Sequence, residues 1–252
     1  MGRKAAGAPA MGVNVEEVVL WIAEKDSLIF EALLPALPGS NEEEGKGYAR
    51  RGNHYFVALN GHALEQAMPD HYLPDSVPRT SKGGKVWRLE DLPIVPTSWH
   101  MVEKESKRAR LRKVQDLLRK CSVVHHVGDP DPEGQLIVDE VLDHFGNRKP
   151  VKRVLINDYN PTKVKQALED IRDNNEPMFR GWSLWAKARS RYDWLMGINA
   201  TRAMTVRGRS LGYDGLLPVG SVQTPVQFIM VEHDRKIETF VAQRFYKIAA
   251  RI

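Results

Sequence analysis

Sulfur chemistry is nearly absent from this chain, because its 252 residues include one cysteine, Cys121. No disulfide can close within the chain and no thiolate zinc site can be assembled, which excludes disulfide-stapled and zinc-ribbon scaffolds. Long apolar runs are lacking too. No stretch approaches the ~20 residues that a membrane-spanning helix needs. The opening MGRKAAGAPAMGVNV has no apolar block of the signal-peptide kind. Ala6 removes the hydroxyl that a myristoylation signal requires. Internal repeats are missing as well. These absences point to a globular, cytoplasmic protein with no membrane role, and residues 1–15 read as a flexible extension.

The length suits one large or two modest domains with a real core. The formal net charge is +5, compatible with a polyanionic partner. The basic residues are unevenly spread, concentrated in EKESKRARLRKVQDLLRK (103–120) and RGWSLWAKARSRYDW (180–194).

Hydrophobic periodicity yields alternating strands and helices. EEVVLWIA (16–23) reads as a buried strand, and SLIFEALLPAL as a helix capped by Ser27. GYARRGNHYFVALNG reads as a hairpin turning at Arg51-Gly52-Asn53. Residues 68–99, rich in Pro, Gly and Ser, read as one irregular segment. KRARLRKVQDLLRK is an amphipathic helix, SVVHHVG a strand, EGQLIVDEVLDHF a helix, VKRVLI a strand and PTKVKQALEDIRDN a helix with Pro at its first turn. This order predicts an α/β fold with a mostly parallel sheet covered by helices over residues 16–177. Residues 178–252 read as mainly helical, with a long helix through SLWAKARSRYDWLMGINATRAMTV, a glycine-rich loop, a helix over VQFIMVEHDRKIETF and a strand-like RFYKIAARI.

The chemistry concentrates in HHVGDPDPEGQLIVDEVL (125–142). Asp129, Asp131 and Glu133 occupy alternate positions where a buried strand meets a helix, the edge at which α/β sheets bind ligands. Alternate residues of extended backbone point the same way, so these carboxylates converge. Converging carboxylates repel unless a cation neutralises them, and Mg²⁺ takes oxygen ligands while keeping waters for phosphate. The first strand ends in Glu24-Lys25, which can reach the same edge. A solvated acidic loop is the plain alternative.

The ordered blocks WIAEKDSL, GHALEQAMPDHY, LEDLPIVPTSW, GDPDPEGQLIVDEVL, LINDYNPTKV, RSRYDWLMGINATRAMT and PVGSVQTPVQ resemble the N-terminal part of bacterial type IA DNA topoisomerases, most like their topoisomerase III group. The resemblance implies a Toprim domain followed by the start of a domain that cradles single-stranded DNA, in a bacterial, nucleoid-associated and monomeric protein. It implies a reaction in which a tyrosine cleaves one DNA strand, another strand passes, and the break is resealed. Under it Glu24 is the general acid or base, Lys25 steadies charge on the phosphate, and Glu24, Asp129, Asp131 and Glu133 hold Mg²⁺. Arg189 and Asp193 lie near the cleaved phosphate. Trp87, Trp194, Arg202, Arg209 and the loop Pro218, Val219, Gly220, Ser221, Val222 and Gln223 contact DNA.

Each reading has a plainer counterpart. Arg189 and Asp193, spaced i,i+4, also suit an ordinary helix ion pair. Trp194 suits a core position, and single arginines suit a solvated surface. His62 reads as a packing residue; of His125 and His126, one faces the core. The chain departs from the family pattern at Pro132, which replaces an arginine, at Ser221, which replaces another, and at Asp26, which replaces a proline. None of its seven tyrosines, Tyr48, Tyr55, Tyr72, Tyr159, Tyr192, Tyr213 and Tyr246, is followed closely by an Arg-Thr pair as the family's nucleophile is. The chain is therefore expected to bind DNA and Mg²⁺ without cleaving. A non-enzymatic DNA-binding fragment and a metal-dependent Toprim nuclease are the other readings.

Overall fold

A computed structural model describes residues 17–251; the extension read over residues 1–15 lies outside them. The chain forms two compact units. One comprises residues up to Ala67 with Ser98–Ser190, the other Met68–Thr97 with residues from Arg191 onward. The irregular segment thus leaves the first unit and belongs to the second.

The first unit is built on strands β1 (Val19–Ala23), β2 (Glu43–Gly45), β3 (Tyr48–Arg51), β4 (His54–Ala58), β7 (Val123–Val127), β8 (Val151–Arg153) and β9 (Arg172–Asp173), in the order β2-β3-β4-β1-β7-β8-β9. A separate pair joins β5 (Leu64–Gln66) to β6 (Met101–Glu103). The four central strands β4, β1, β7 and β8 run parallel, and the edges are antiparallel. The hairpin turns where the sequence places it, with Gly52 at φ 53, in the left-handed region that glycine tolerates.

Helices cover both faces, as continuous burial of β1 requires. Val19, Trp21 and Ala23 pack towards a π-helical turn (Leu28–Leu33), α1 (Leu34–Ala36) and α4 (Pro161–Glu169). Leu20 and Ile22, one residue out of phase, pack towards α2 (Arg108–Lys120) and α3 (Pro132–His144). Two sequence expectations fail. Ser27 makes no capping bond and instead shares a 2.9 Å hydroxyl–hydroxyl bond with Tyr159. RFYKIAARI forms no strand: its residues up to Arg251 are exposed, and no described strand lies alongside to complete a ladder.

The long helix α5 (Pro177–Ser210) runs from the first unit into the second. In the second unit, Leu73, Val77 and Ile94 form a small core with Tyr72, Leu92 and Trp194. The loop after α5 folds back on it: Thr205 Oγ1 accepts from Leu217 N at 3.0 Å, and Thr201 Oγ1 from Val219 N at 2.9 Å. Helix α6 (Gln223–Glu238) follows and buries no residue. No helix among the described residues is long and apolar enough to cross a membrane.

His126 is the histidine that faces the core, fully buried. His125 lies edge-on to Trp21 at 4.2 Å between ring centroids. Burial, with repulsion from His54 and Lys152, pushes the His125 imidazole down to about 4, and burial holds His126 well below its ordinary range. The unfolded chain takes up these protons near pH 6.5, whereas the folded chain takes up that of His125 only near pH 4. Their contribution is therefore intact above pH 6.5 and falls as the pH drops from 6.5 towards 4. Urea unfolding should show a lower midpoint at pH 5 than at pH 7. His125 Nδ1 is also buried without a hydrogen-bond partner among the described residues. His125→Phe should then raise stability at pH 5 by about 1 kcal/mol and flatten the acid limb. Equal midpoints for both proteins at pH 5 would refute this.

Candidate functional site

Parallel register builds the site. Ala23 pairs with Val127, so the chain leaves β1 and β7 side by side at one sheet edge. Glu24 N donates to Val127 O at 3.2 Å, and Asp129 N donates to Glu24 Oε2 at 3.0 Å. Lys25 Nζ reaches Asp129 Oδ2 at 2.6 Å, a pairing that raises the lysine's proton affinity. Burial pushes the Glu24 carboxyl up; the Asp129 N–H bond opposes this, and the charges of Asp129 and Asp131 reinforce it.

The next two acids are held by α3. Asp131 caps the helix, its Oδ1 accepting from Gly134 N at 2.8 Å, with Pro132 at the first helical position. Glu133 and Glu140 lie seven residues apart on one face of α3, and His62 bridges them with 2.7 Å contacts from Nε2 and Nδ1. The bond to Glu140, with the charges of both acids, lifts the His62 imidazole to about 9 against the cost of its burial. Gly134 is required by space: a Cβ there would lie 2.5 Å from Asp129 N and 2.7 Å from Glu24 Oε2.

Arg153, fully buried, was not singled out in the sequence. Its guanidinium donates to Gly128 O at 2.8 Å, Asp129 O at 2.7 Å, Val154 O at 2.7 Å and Gln135 Oε1 at 2.8 Å. Burial lowers it to about 10, which leaves it charged at neutral pH beneath the acids. The only sequence signal is an arginine inside the short strand VKRVLI. His62 was recognised as structural, but not its bridging of two acids; their spacing on α3 was the available clue.

Glu24, Lys25 and Asp129 are therefore in bonded contact, with Asp131 and Glu133 on the same loop and helix start. Among the described residues no group of three or more His, Cys, Asp or Glu is gathered closely enough to enclose a metal ion. The donors nevertheless fit Mg²⁺, which needs one or two carboxylates and keeps waters for its remaining positions. Lys25 and His62 stand as counter-cations on Asp129 and Glu133.

Arg189, in the first unit, holds its guanidinium 5.8 Å from the Trp185 ring centroid. The other sequence candidates lie in the second unit. Asp193 accepts from Ser221 Oγ at 2.6 Å. Trp194 is half-buried, edge-on to Tyr72 at 5.5 Å, which is the core position weighed above. Arg202 is 5 % exposed, paired with Asp70 at 2.9 Å and lying over Trp87, so it braces Trp87 rather than meeting solvent. Arg209 is exposed. In the loop Pro218–Gln223, Val219 N is bonded to Thr201 Oγ1 and Gly220 N to Thr224 Oγ1, so neither N–H is open to a phosphate.

Comparison with known proteins agrees with this arrangement. The Toprim domain profile matches residues 19–159, and a DNA topoisomerase profile matches residues 180–252. DNA topoisomerase 3 of Salmonella typhimurium is 44% identical over 238 residues, covering 92% of this chain and 35% of that protein. DNA topoisomerase 3 of Vibrio cholerae is 41% identical with the same coverage. The chain thus spans about a third of the length of these relatives. Among solved structures, full-length topoisomerase I from Thermotoga maritima shares the fold, with a TM-score of 0.54 at 16% identity over 88% of this chain and 31% of that one.

The His62 bridge has a testable pH signature. A raised pKa means that its contribution is fully present below pH 6.5 and is lost as pH climbs from 6.5 through about 9. Stability should fall over that window by on the order of 1–3 kcal/mol in the native chain. His62→Gln should lower stability at pH 6.5 and abolish most of the alkaline slope. Equal alkaline slopes in urea unfolding of the two proteins would show that the imidazole is not held charged.

Proposed function

Because the chain belongs to the Toprim family over residues 19–159 and continues into a DNA topoisomerase segment over 180–252, we propose that it is the N-terminal part of an enzyme that changes DNA topology by transient single-strand cleavage, strand passage and religation. In this reading the protein relaxes or decatenates DNA in the bacterial cytoplasm, at the nucleoid, as a monomer. Residues 16–177 form the Toprim part, with Met68–Thr97 an excursion into the second unit, and residues 178–252 begin the DNA cradle. The observation that carries the reading is the bonded group Glu24–Asp129–Lys25 at adjacent parallel strand ends.

The chemistry of these side chains suits phosphoryl transfer. Burial raises the proton affinity of Glu24, which suits it to deliver or remove a proton at the leaving 3′-oxygen. Lys25, with Asp129 steadying its charge, stabilises the scissile phosphate. Asp129 and Asp131, with Glu133 and Glu24 beside them, would hold Mg²⁺, whose contribution when bound is to offset phosphate charge and orient the strand for religation. Arg189 and Asp193 flank the reacting phosphate. Exposed Arg209, Trp87 and the loop Pro218–Gln223 meet a single strand, and Ser221 acts through its bond to Asp193.

Measurements of metal binding, of strand binding and of strand cleavage test this. Calorimetry should detect Mg²⁺ binding that Asp129→Asn with Asp131→Asn removes; unchanged binding in the double variant would relocate the metal. The second measurement is strand binding. The chain should bind single strands more tightly than duplex, with affinity falling steeply as salt rises. It should neither relax supercoiled DNA nor retain a covalently linked strand on a denaturing gel, since none of its tyrosines has the nucleophile's Arg-Thr neighbours. Strand hydrolysis dependent on Mg²⁺ would identify a nuclease instead. A covalent adduct lost in Tyr192→Phe would locate a nucleophile in this chain.

A further inference from the structure

Asp26 follows Lys25 directly, at a place where the family pattern carries a proline. A proline there would have no N–H and a φ fixed at about −65°. This chain has an N–H and a carboxylate instead, and the structure shows what uses them. Asp26 N donates to Asn60 Oδ1 at 3.1 Å, and Asn60 Nδ2 donates back to Asp26 Oδ2 at 3.1 Å. The two bonds form a reciprocal pair between the loop after β1 and the loop after β4. The other Asp26 oxygen, Oδ1, is buried without a hydrogen-bond partner among the described residues and lies 3.8 Å from Arg110 Nη1.

Asn60 is itself held from several sides. Its φ of 55 lies in the left-handed region, the one such non-glycine residue among those described. Asparagine tolerates that region better than most side chains, and strained backbone persists where surrounding contacts over-determine it. Those contacts are present. Lys107 Nζ donates to Leu59 O at 3.1 Å and to Asn60 O at 2.7 Å, gathering two consecutive carbonyls. On either side of Asn60, Leu59 N donates to Ala23 O at 2.9 Å and Gly61 N to Glu24 O at 3.1 Å. The backbone at Ala23, Glu24 and Asp26 is thus strapped to Leu59, Asn60 and Gly61. Lys25 lies between tied positions, and its Nζ reaches Asp129 Oδ2 at 2.6 Å. A flexible four-carbon stem finds that carboxylate only if its own backbone is held in place.

We infer that Asn60 is a positioning residue for Lys25. Its amide, bonded twice to Asp26, fixes the backbone just beyond the lysine and so keeps the ammonium on Asp129 at the strand ends. The inference rests on the role given to Lys25 in the function proposed above, and it adds a residue that touches neither phosphate nor metal. It also gives the departure at Asp26 a purpose, because the Asp26 N–H and carboxylate are the groups that Asn60 holds.

The test is NMR of the labelled full chain. Exchange of the Leu28 and Gly61 amides reports on the Lys25 and Glu24 carbonyls to which they donate. The Lys25 ammonium signal, identified by Lys25→Arg, reports on its bond to Asp129. Asn60→Gly is the informative variant, because glycine accepts the left-handed φ and only the amide is lost. It should speed exchange at Leu28 and Gly61 about ten-fold, the local protection that one hydrogen bond gives, and move the Lys25 signal to the position of exposed lysines. The amides of Val124 and Val154, bonded to Pro150 O and His126 O, should keep their rates, which a generally loosened fold would not allow. Asp26→Pro should leave the Lys25 signal in place, and Asn60→Gly added to it should change nothing further. An unmoved Lys25 signal in Asn60→Gly overturns the inference, as does an equal response to Asn60→Gly with and without Asp26→Pro. If the variants respond as expected in a chain that binds neither strand nor Mg²⁺, the tie stands and the proposed function falls.

Discussion

Concentrated negative charge is the constraint around which the first unit is organised. Glu24 and Asp129 meet at adjacent strand ends, Asp131 and Glu133 follow on the loop and at the helix start, and the charges of Asp129 and Asp131 oppose ionisation of Glu24. Three cations offset this charge from different directions. Arg153 lies beneath the loop and ties down the carbonyls of Gly128 and Asp129. Lys25 bonds Asp129 from the neighbouring strand end, and His62 bonds Glu133 from beyond β4. Arg153 bonds backbone and an amide rather than an acid, so its charge acts on the carboxylates without occupying them. The acids are also oriented one by one, Glu24 by Asp129 N, Asp129 by Lys25, Asp131 by Gly134 N and Glu133 by His62, each through one oxygen.

A related device orders the Met68–Thr97 segment of the second unit, where regular structure is scarce. Met68–Thr97 has only short helical turns, at Pro69–Tyr72 and Leu89–Asp91, and a core of three buried apolar residues. So small a core cannot by itself fix a thirty-residue excursion. Polar ties complete it. Asp70 holds both Arg202 and the Lys85 backbone, and Asn199 takes both the N–H and the carbonyl of Ile94. Each tie runs from α5 or from one part of the excursion to another, so the segment is ordered by hydrogen-bonded anchors more than by burial.

Much of this was legible in the chain, for identifiable reasons. Strands β1 and β7 announce themselves as apolar runs, α3 by the apolar periodicity of EGQLIVDEVLDHF, and the hairpin by Arg51-Gly52-Asn53, because each is dictated by local patterning. The acids could be assigned to one edge because strand ends in a parallel sheet share an edge. What stayed hidden depends on contacts between distant parts of the sequence. The burial of Arg153 and Arg202 cannot be read from single arginines, whose usual place is the surface. Nor could Ser27 be distinguished from a helix cap, since its partner Tyr159 lies 132 residues away. RFYKIAARI has strand composition but no described partner strand, and composition alone does not make a ladder.

Two of the departures from the family pattern, Pro132 and Ser221, acquire different meanings in this light. Pro132 takes the first helical position of α3, where the missing N–H is no loss and the fixed φ suits the helix start. It removes a surface cation beside the acids, yet Arg153 still supplies positive charge from below, so the acid cluster does not depend on that position for its assembly. Ser221 differs. Where the family pattern carries a guanidinium, this chain has a hydroxyl bonded to Asp193, a neutral tie that holds the loop to α5 but offers no charge to a phosphate. With Val219 N and Gly220 N also engaged internally, that loop contributes shape more than attraction. Arg202 is turned inward, so of the two arginines singled out in the second unit only Arg209 is exposed.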